Sequence, residues 1–213
     1  GCLLDTCRAV RDYDGIDHAG PRGFMKAASI ATHLRPYSIL QKRTTTINHA
    51  FASAIAPAEA LVGARLSGAL GVLDQSPDDD LLCVYCDRPA ETWDHLVALV
   101  RAGEMSGYGH TFSNLVPACR ECNSTKGNKE WRSWLRTSRG DCEVRISRIE
   151  RYIEFCGSAM RSMEDLELVA PQWLERYTAV RHQVLDLLRE ADKLADQIRS
   201  AAARAIPRSI WNP

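Results

Sequence analysis

Long apolar runs are missing from this 213-residue sequence. No stretch of about 18 consecutive apolar residues occurs, so no membrane-spanning helix is expected. Net charge is missing too, since 27 basic residues meet 27 acidic ones, and the molecule as a whole has no bulk field to draw it to nucleic acid or an anionic surface. There are no internal repeats and no low-complexity tracts, which argues against repeat architectures and compositional linkers. Gly1–Val10 carries no basic flank, apolar stretch and small-residue cleavage site in succession, so no secretory signal is expected there. What remains is average: apolar content of 45% and charged content of 25% are those of a soluble globular protein, and a cytoplasmic setting is expected.

Cysteine is the exception. Four of the eight cysteines form two Cys-x-x-Cys pairs, Cys83/Cys86 and Cys119/Cys122. A knuckle of that length brings two thiolates to one ion, so the pattern favours a tetrahedral, closed, structural zinc site over disulfides. Cys2, Cys7, Cys142 and Cys156 are scattered and read as small buried apolar residues. Charge is also uneven. Asp74–Asp94 holds seven acidic residues and one basic, whereas Arg120–Arg139 holds six basic and two acidic, and local charge is what meets a phosphate.

The expected fold class is α+β and mostly helical, in three parts: a helical region over 1–75, a small core over 76–139 and a second helical region over 140–213. Residues 24–34 look helical and Pro36 stops them. Thr46–Ala56 and Pro57–Leu73 read as two further helices with Pro57 in a first turn. Leu81–Tyr85 and Thr92–Val100 are short, apolar and flanked by turn residues, as a strand pair around the first knuckle would be. Arg101–Ser113 reads as a loop, Cys119–Arg136 as a knuckle leading into a helix, and Val144–Cys156 as a helix. From Pro171 to Ile206 a long helix carries Tyr177, Val180, Val184, Leu187, Ala191, Leu194, Ile198 and Ala201 at heptad spacing, either a face packed on the rest of the chain or a dimer seam.

Polar residues lie between and after the knuckles. Asp94-His95 sets a carboxylate suited to a hard divalent cation beside an imidazole that can accept a proton from water near neutral pH. Phosphodiester hydrolysis needs an activated water, a cation on the scissile phosphate and a group that aims the base. Asp94, His95, Asn114 and Asn123 can supply all three.

Taken in order, Cys83-x-x-Cys86, Asp94-His95, Asn114-Leu-Val-Pro117 and Cys119-x-x-Cys122-Asn123-x-x-Lys126-Gly127 resemble the HNH (ββα-metal) endonuclease motif in its zinc-bearing form, with Asn at the third motif position. The resemblance covers 83–129, about a quarter of the chain. It implies a ββα-metal core with a structural Zn2+ on Cys83, Cys86, Cys119 and Cys122. It also implies that His95 is the general base, that Asp94 and Asn123 ligate the catalytic cation, and that Asn114 braces the loop holding His95. Lys126 falls where the family often places a cationic phosphate contact. The oxygen-rich donor set favours Mg2+ or Mn2+. Two features depart from the family: no proline follows Asp94-His95, and the connection from His95 to Asn114 is long.

The implied function is a DNA endonuclease, of restriction or defence type, with a homodimer through 171–206 as one route to double-strand cleavage. The competing reading is a non-catalytic, zinc-stabilised DNA-binding module. Lys129, Arg132, Arg136 and Arg139, close together on one helix side, read together with Lys126 as phosphate-backbone contacts. Trp131 and Trp134 are expected to pack. His110 is expected to be a loop histidine without a role, and His18, His33, His49 and His182 structural. Arg43–His49 opens a helix in this reading, and its hydroxyls could hold a phosphate or simply cap.

Overall fold

The computed structural model describes residues 30–138, 140, 142–157 and 162–205. Cys2, Cys7, His18, Arg139 and the start of the expected 24–34 helix lie outside the described residues. The chain divides into two units, Gly1–Tyr37 and Ser38–Pro213. In the first, Ile30–His33 make one helical turn, α1.

The second unit opens with α2 (Ile39–Ile55), which starts seven residues before the expected Thr46. Ser38 sets that start: its backbone is extended and its hydroxyl accepts from the Gln41 amide, the geometry of an N-cap. Thr44–Thr46 therefore sit inside the helix, and Thr44 Oγ1 donates back to the Leu40 carbonyl at 2.6 Å. The expectation of a hydroxyl-lined helix start at Arg43–His49 is corrected accordingly. Pro57 does not begin a helix either. Residues 57–62 are not helical: Ala58 bridges to His110, the Pro57 carbonyl accepts from the His110 amide at 2.8 Å, and the Glu59 amide donates to the His110 carbonyl at 3.1 Å. Those long-range bonds outweigh local helix preference, and helix resumes only at α3 (Gly63–Val72).

The central motif is a two-stranded antiparallel sheet, β1 (Thr92–His95) on β4 (Leu115–Ala118), followed by α4 (Arg120–Lys126). In register, Asp94 opposes Val116 and His95 opposes Leu115. The expected pairing of 81–85 with 92–100 is replaced. Residues 81–85 make only a bridge, Leu82 to Pro89, while the Val84 amide reaches the Pro117 carbonyl at 3.0 Å. The expected loop 101–113 holds part of a small hairpin, β2 (Val100–Arg101) with β3 (Glu104–Met105), and a 3-10 turn at Phe112–Asn114. The expected 119–136 helix breaks at Gly127, whose φ of +52° closes α4, and α5 (Trp131–Ser138) follows. Helices α6 (Cys142–Cys156), α7 (Met163–Val169) and α8 (Pro171–Ala205) complete the described chain. The class is thus α+β and mostly helical. No helix among the described residues is long and apolar enough to cross a membrane.

The main core joins Leu70 of α3 and Leu73 just after it, the first knuckle, Val116 and Ala118 of β4, Trp131, Trp134 and Leu135 of α5, and Ile146, Ile149 and Tyr152 of α6. Trp134 meets Tyr85 edge to face at 5.2 Å, so the tryptophans pack rather than stack on bases. A second cluster, Ala52, Leu99 and Met105 with Phe51 and Tyr177, sits between α2, the hairpin and α8. Only part of the expected α8 stripe packs. Tyr177, Val184 and Ala191 are half-buried, but Val180, Leu187, Leu194 and Ile198 are exposed. The face turned inward is centred on buried Arg181, one register step aside.

Candidate active site

At one end of the core the Sγ atoms of Cys83, Cys86, Cys119 and Cys122 all lie within 4.8 Å of one another. A tetrahedral zinc with bonds of about 2.3 Å separates its sulfurs by about 3.8 Å, and Cys86 and Cys119 stand 3.7 Å apart. The donor set and spacing fit a structural zinc. The local chain is shaped for it: the Cys83 amide donates to the Arg88 carbonyl at 2.7 Å and the Asp87 amide to the Cys83 carbonyl at 2.9 Å, with Asp87 at φ +61°. Cys119 also caps α4, accepting from the Cys122 amide. Arg88 places Nε 3.4 Å from Cys86 Sγ and Nη2 3.5 Å from Cys119 Sγ, a cation that offsets the excess negative charge of four thiolates on one zinc. Burial pushes the Cys86 thiol up, but the Arg88 hydrogen bonds and its cysteine neighbours more than reverse this, bringing it to about 6.

From this end β1 runs inward to Asp94, which is buried. Tyr85 donates its hydroxyl to Asp94 Oδ2 at 2.7 Å, and Lys126 Nζ lies 3.1 Å from Oδ1 and 3.1 Å from Oδ2. Lys126 is fully buried. Its ammonium also donates to the His95 carbonyl at 2.8 Å and the Gly127 carbonyl at 3.1 Å, so its three protons are all used. The expected phosphate contact at Lys126 is corrected: its side chain turns into the protein because an otherwise uncompensated buried carboxylate draws it there. Burial pushes the Asp94 carboxyl up, against the pull of Lys126 and Tyr85.

His95 follows on the outer side of β1. Its Nε2 lies 3.1 Å from Nδ1 of His110, a residue expected to be idle. No spacing rule marks His110; only the long-range pairing of 57–59 with 110 brings it there. Burial, then His110, the Lys126 ammonium and His49, hold the His95 imidazole down to about 4, so it is neutral at neutral pH. Asn114 is buried and spans the connection after His95: its Oδ1 accepts from the Val97 amide at 2.8 Å, and its Nδ2 donates to the carbonyls of Val97 at 3.1 Å and Gly109 at 3.0 Å. Asn123, half-buried on α4, has Nδ2 3.5 Å from Thr92 Oγ1.

Asp94, His95 and Asn123 line one cleft of about 560 Å³. Its opposite wall is α2, which contributes Thr44, Thr45, Asn48 and His49. His49, expected to be structural, is thus exposed at the cleft. Helix α8 holds this wall in place. Asp192 accepts from Ser38 Oγ at 2.7 Å and from the amides of Ile39 at 2.7 Å and Leu40 at 3.0 Å. Arg181 donates to Asn48 Oδ1 at 3.1 Å and the Gly103 carbonyl at 2.9 Å, and pairs with Glu104. As a cation site the cleft offers a carboxylate and an amide oxygen, donors of the hard type that magnesium or manganese takes, with remaining positions for water and phosphate. Lys126 against Asp94 lowers the charge such a cation would meet.

The other expected phosphate contacts lie near by. Arg132 pairs with Glu150 at 2.8 Å and lies 4.3 Å over the Trp131 ring, Arg136 pairs with Glu143 at 2.9 Å, and Lys129 is exposed with Nζ on the Thr125 carbonyl. Lys129, Arg132 and Arg101, which spacing did not single out, line a hollow of about 250 Å³ beside Leu96–Ala98.

The family model for HNH endonuclease matches residues 83–129. That segment, from the first zinc knuckle through the residues just past Gly127, is an HNH endonuclease domain, and its four-cysteine cluster agrees with the zinc-bearing form. The domain supports a nuclease-type function in general. No curated protein and no solved structure matches the chain.

Proposed function

We propose that the protein is a divalent-cation-dependent endonuclease that hydrolyses DNA phosphodiester bonds, with His95 as general base. The observation that carries this reading is the single cleft in which a neutral, half-buried histidine meets an oxygen donor set, Asp94 and Asn123. The His95 imidazole takes the proton of the attacking water. The oxygen of that water forms the new bond to phosphorus, the ester P–O bond breaks, and the departing oxygen is protonated from solvent. A magnesium or manganese ion held by Asp94 and Asn123 would polarise the phosphate and steady the leaving oxygen. Lys126 and Tyr85 hold the Asp94 carboxylate at a fixed angle, and Asn114 ties down Val97, two residues after the base. Thr44, Thr45 and His49 face the substrate strand. Lys129, Arg132 and Arg136 contact the flanking backbone; the last two pair at the surface, where an ion pair is worth about 0–1 kcal/mol and yields readily to a phosphate.

Cleavage of supercoiled plasmid with magnesium or manganese, beside His95→Ala at matched zinc content, tests this. Nicking or linearisation by the wild type alone supports it; equal cutting by both proteins places the chemistry elsewhere. One observation favours the binding-module reading: the Asp94 carboxylate already carries an ammonium and a phenol. Zinc at one equivalent and DNA retention, with no cleavage under magnesium, manganese or nickel, is the outcome that selects it.

The exposed half of the α8 stripe, Val180, Leu187, Leu194 and Ile198, is the surface on which a second copy would dock for double-strand cleavage. A monomer in sedimentation at micromolar protein removes that part and leaves a nickase. A restriction or defence role is the proposed biological setting, tested by plasmid-transformation efficiency in cells carrying wild type or His95→Ala.

A further inference from the structure

His110 is the one imidazole in hydrogen-bond contact with His95 among the described residues, and it is held with unusual firmness for a loop residue. Its amide and carbonyl are both bonded to the 57–59 segment. The preceding Gly109 lies flush on that segment: a Cβ there would come within 2.0 Å of the Pro57 carbonyl oxygen. The Gly109 carbonyl takes a further hydrogen bond from Asn114 Nδ2. The backbone carrying His110 is thus fixed on two sides, independently of what its side chain does.

The side-chain contact has a chemical consequence. Nε2 of His95 and Nδ1 of His110 are 3.1 Å apart, and one of them must carry the proton between them. His95 has no other side-chain hydrogen bond among the described residues, so its Nδ1 is the nitrogen left for solvent or substrate. A general base must present a lone pair. Resting on the reading of His95 as the base, this fixes the proton positions: His95 carries its proton on Nε2 and donates it to Nδ1 of His110, leaving Nδ1 of His95 basic.

We infer that His110 is the positioning residue of the base, locking the His95 ring in the Nε2–H tautomer and in one orientation through this hydrogen bond. It touches neither water nor phosphate in this role. It replaces free rotation and tautomer exchange of the base with a single prepared state, the function a third group serves wherever a base is aimed by a partner. It also assigns a purpose to the long His95–Asn114 connection, which reaches out to the 57–59 segment and returns with His110.

Two substitutions separate this role from a merely structural one. In His110→Asn the side-chain oxygen stands where Nδ1 stood and can still accept from His95; in His110→Ala nothing can. Neither change touches the backbone bonds to Pro57 and Glu59. We expect kcat for plasmid cleavage to fall on the order of 100-fold in His110→Ala with KM unchanged, the loss typical of a misaimed reacting group, and to recover to within about tenfold of wild type in His110→Asn. Nitrogen-15 NMR of histidine-labelled, zinc-loaded protein supplies a readout that needs no activity. His95, assigned by the signal lost in His95→Ala, should show a protonated Nε2 with a slowly exchanging proton in wild type and His110→Asn, and should lose it in His110→Ala. A His95 protonated at Nδ1 in the wild type overturns the inference, as does a His110→Ala protein with unchanged kcat, or a His110→Asn protein as impaired as the alanine variant. If the wild type itself cuts no DNA, the nuclease reading fails separately, and the NMR result alone then decides whether His110 locks His95.

Discussion

Replacing Lys126 with methionine distinguishes two physical accounts of the most conspicuous cation in the motif. As a phosphate contact it would be exposed, and its loss would leave stability within about 0.5 kcal/mol while lowering the salt dependence of DNA binding by about 0.9 in log–log slope. In the structure it is buried beside an Asp94 that is 4% exposed. Its three protons reach Asp94, the His95 carbonyl and the Gly127 carbonyl. Removing one partner of such a pair strands a buried charge, a loss of about 3–5 kcal/mol, comparable to a large share of the 5–15 kcal/mol that holds a typical domain together. The deficit depends on pH in a definite direction. Burial already pushes the Asp94 carboxyl up, and without Lys126 it rises further. A carboxyl whose folded pKa lies above its unfolded value near 4 destabilises the fold increasingly as pH rises through that range and beyond. The penalty of Lys126→Met should therefore be smaller at about pH 6 than at about pH 8, both within the range where thiolates keep their zinc, and Asp94→Asn in the same chain should recover part of it. Urea unfolding of zinc-loaded protein, followed by tryptophan fluorescence from Trp134 beside Tyr85, measures it. A Lys126→Met protein as stable as wild type at pH 8, with a reduced salt slope for DNA, would refute the buried-brace account.

Removing zinc with a chelator, or Cys83→Ser, should unfold the 83–129 segment and abolish cleavage. Structural zinc contributes about 10–16 kcal/mol in small zinc modules, more than a domain of this size can spare. Circular dichroism and melting temperature report it, and zinc, not magnesium, should restore the fold of the stripped wild type. Gly109→Ala forces a methyl to within 2.0 Å of the Pro57 oxygen, so the two segments must part. We expect a loss of about 1–3 kcal/mol in urea unfolding together with reduced kcat, and unchanged stability would show that the 57–110 contact is not as close as described.

How far the site was legible in the sequence depends on the distance over which each part is specified. The zinc ligands and the Asp94-His95 pair were legible because their spacing is itself the geometry: a two-residue knuckle and adjacent positions on one strand. The strand partner of β1 was not. Leu81–Tyr85 looks as strand-like as Leu115–Ala118, and the choice is made by Val84 bonding to Pro117 and by the core around Val116. The motif position of Lys126 points it to the DNA, but no local rule reports that Asp94 will be buried behind it. The helix start at Ser38 was hidden because its cap is completed by Asp192, more than 150 residues away. The role of His110 is hidden for the same reason, its place being set by Pro57 and Glu59.

These long-range parts share one consequence. The matched segment contains the four zinc-binding cysteines, the proposed base, the candidate cation donors and His110, but it contains neither the far wall of the cleft nor the 57–59 segment that holds His110. The wall is α2, whose Thr44, Thr45 and His49 face Asp94 and His95. It stays there because α8 fastens it at Asp192, at Arg181 and at Tyr177, whose hydroxyl donates to the Phe51 carbonyl at 2.9 Å. Arg181 ties the same wall to the β2–β3 hairpin through Gly103 and Glu104, and the hairpin is the start of the connection that carries His110 back to His95. The long helix therefore acts on the site at a distance: it sets the width of the cleft through α2 and the path of the His110 loop through the hairpin. A fragment limited to 83–129 would keep the zinc ligands and lose both settings, because the cleft is a property of the whole 38–205 fold rather than of the motif within it.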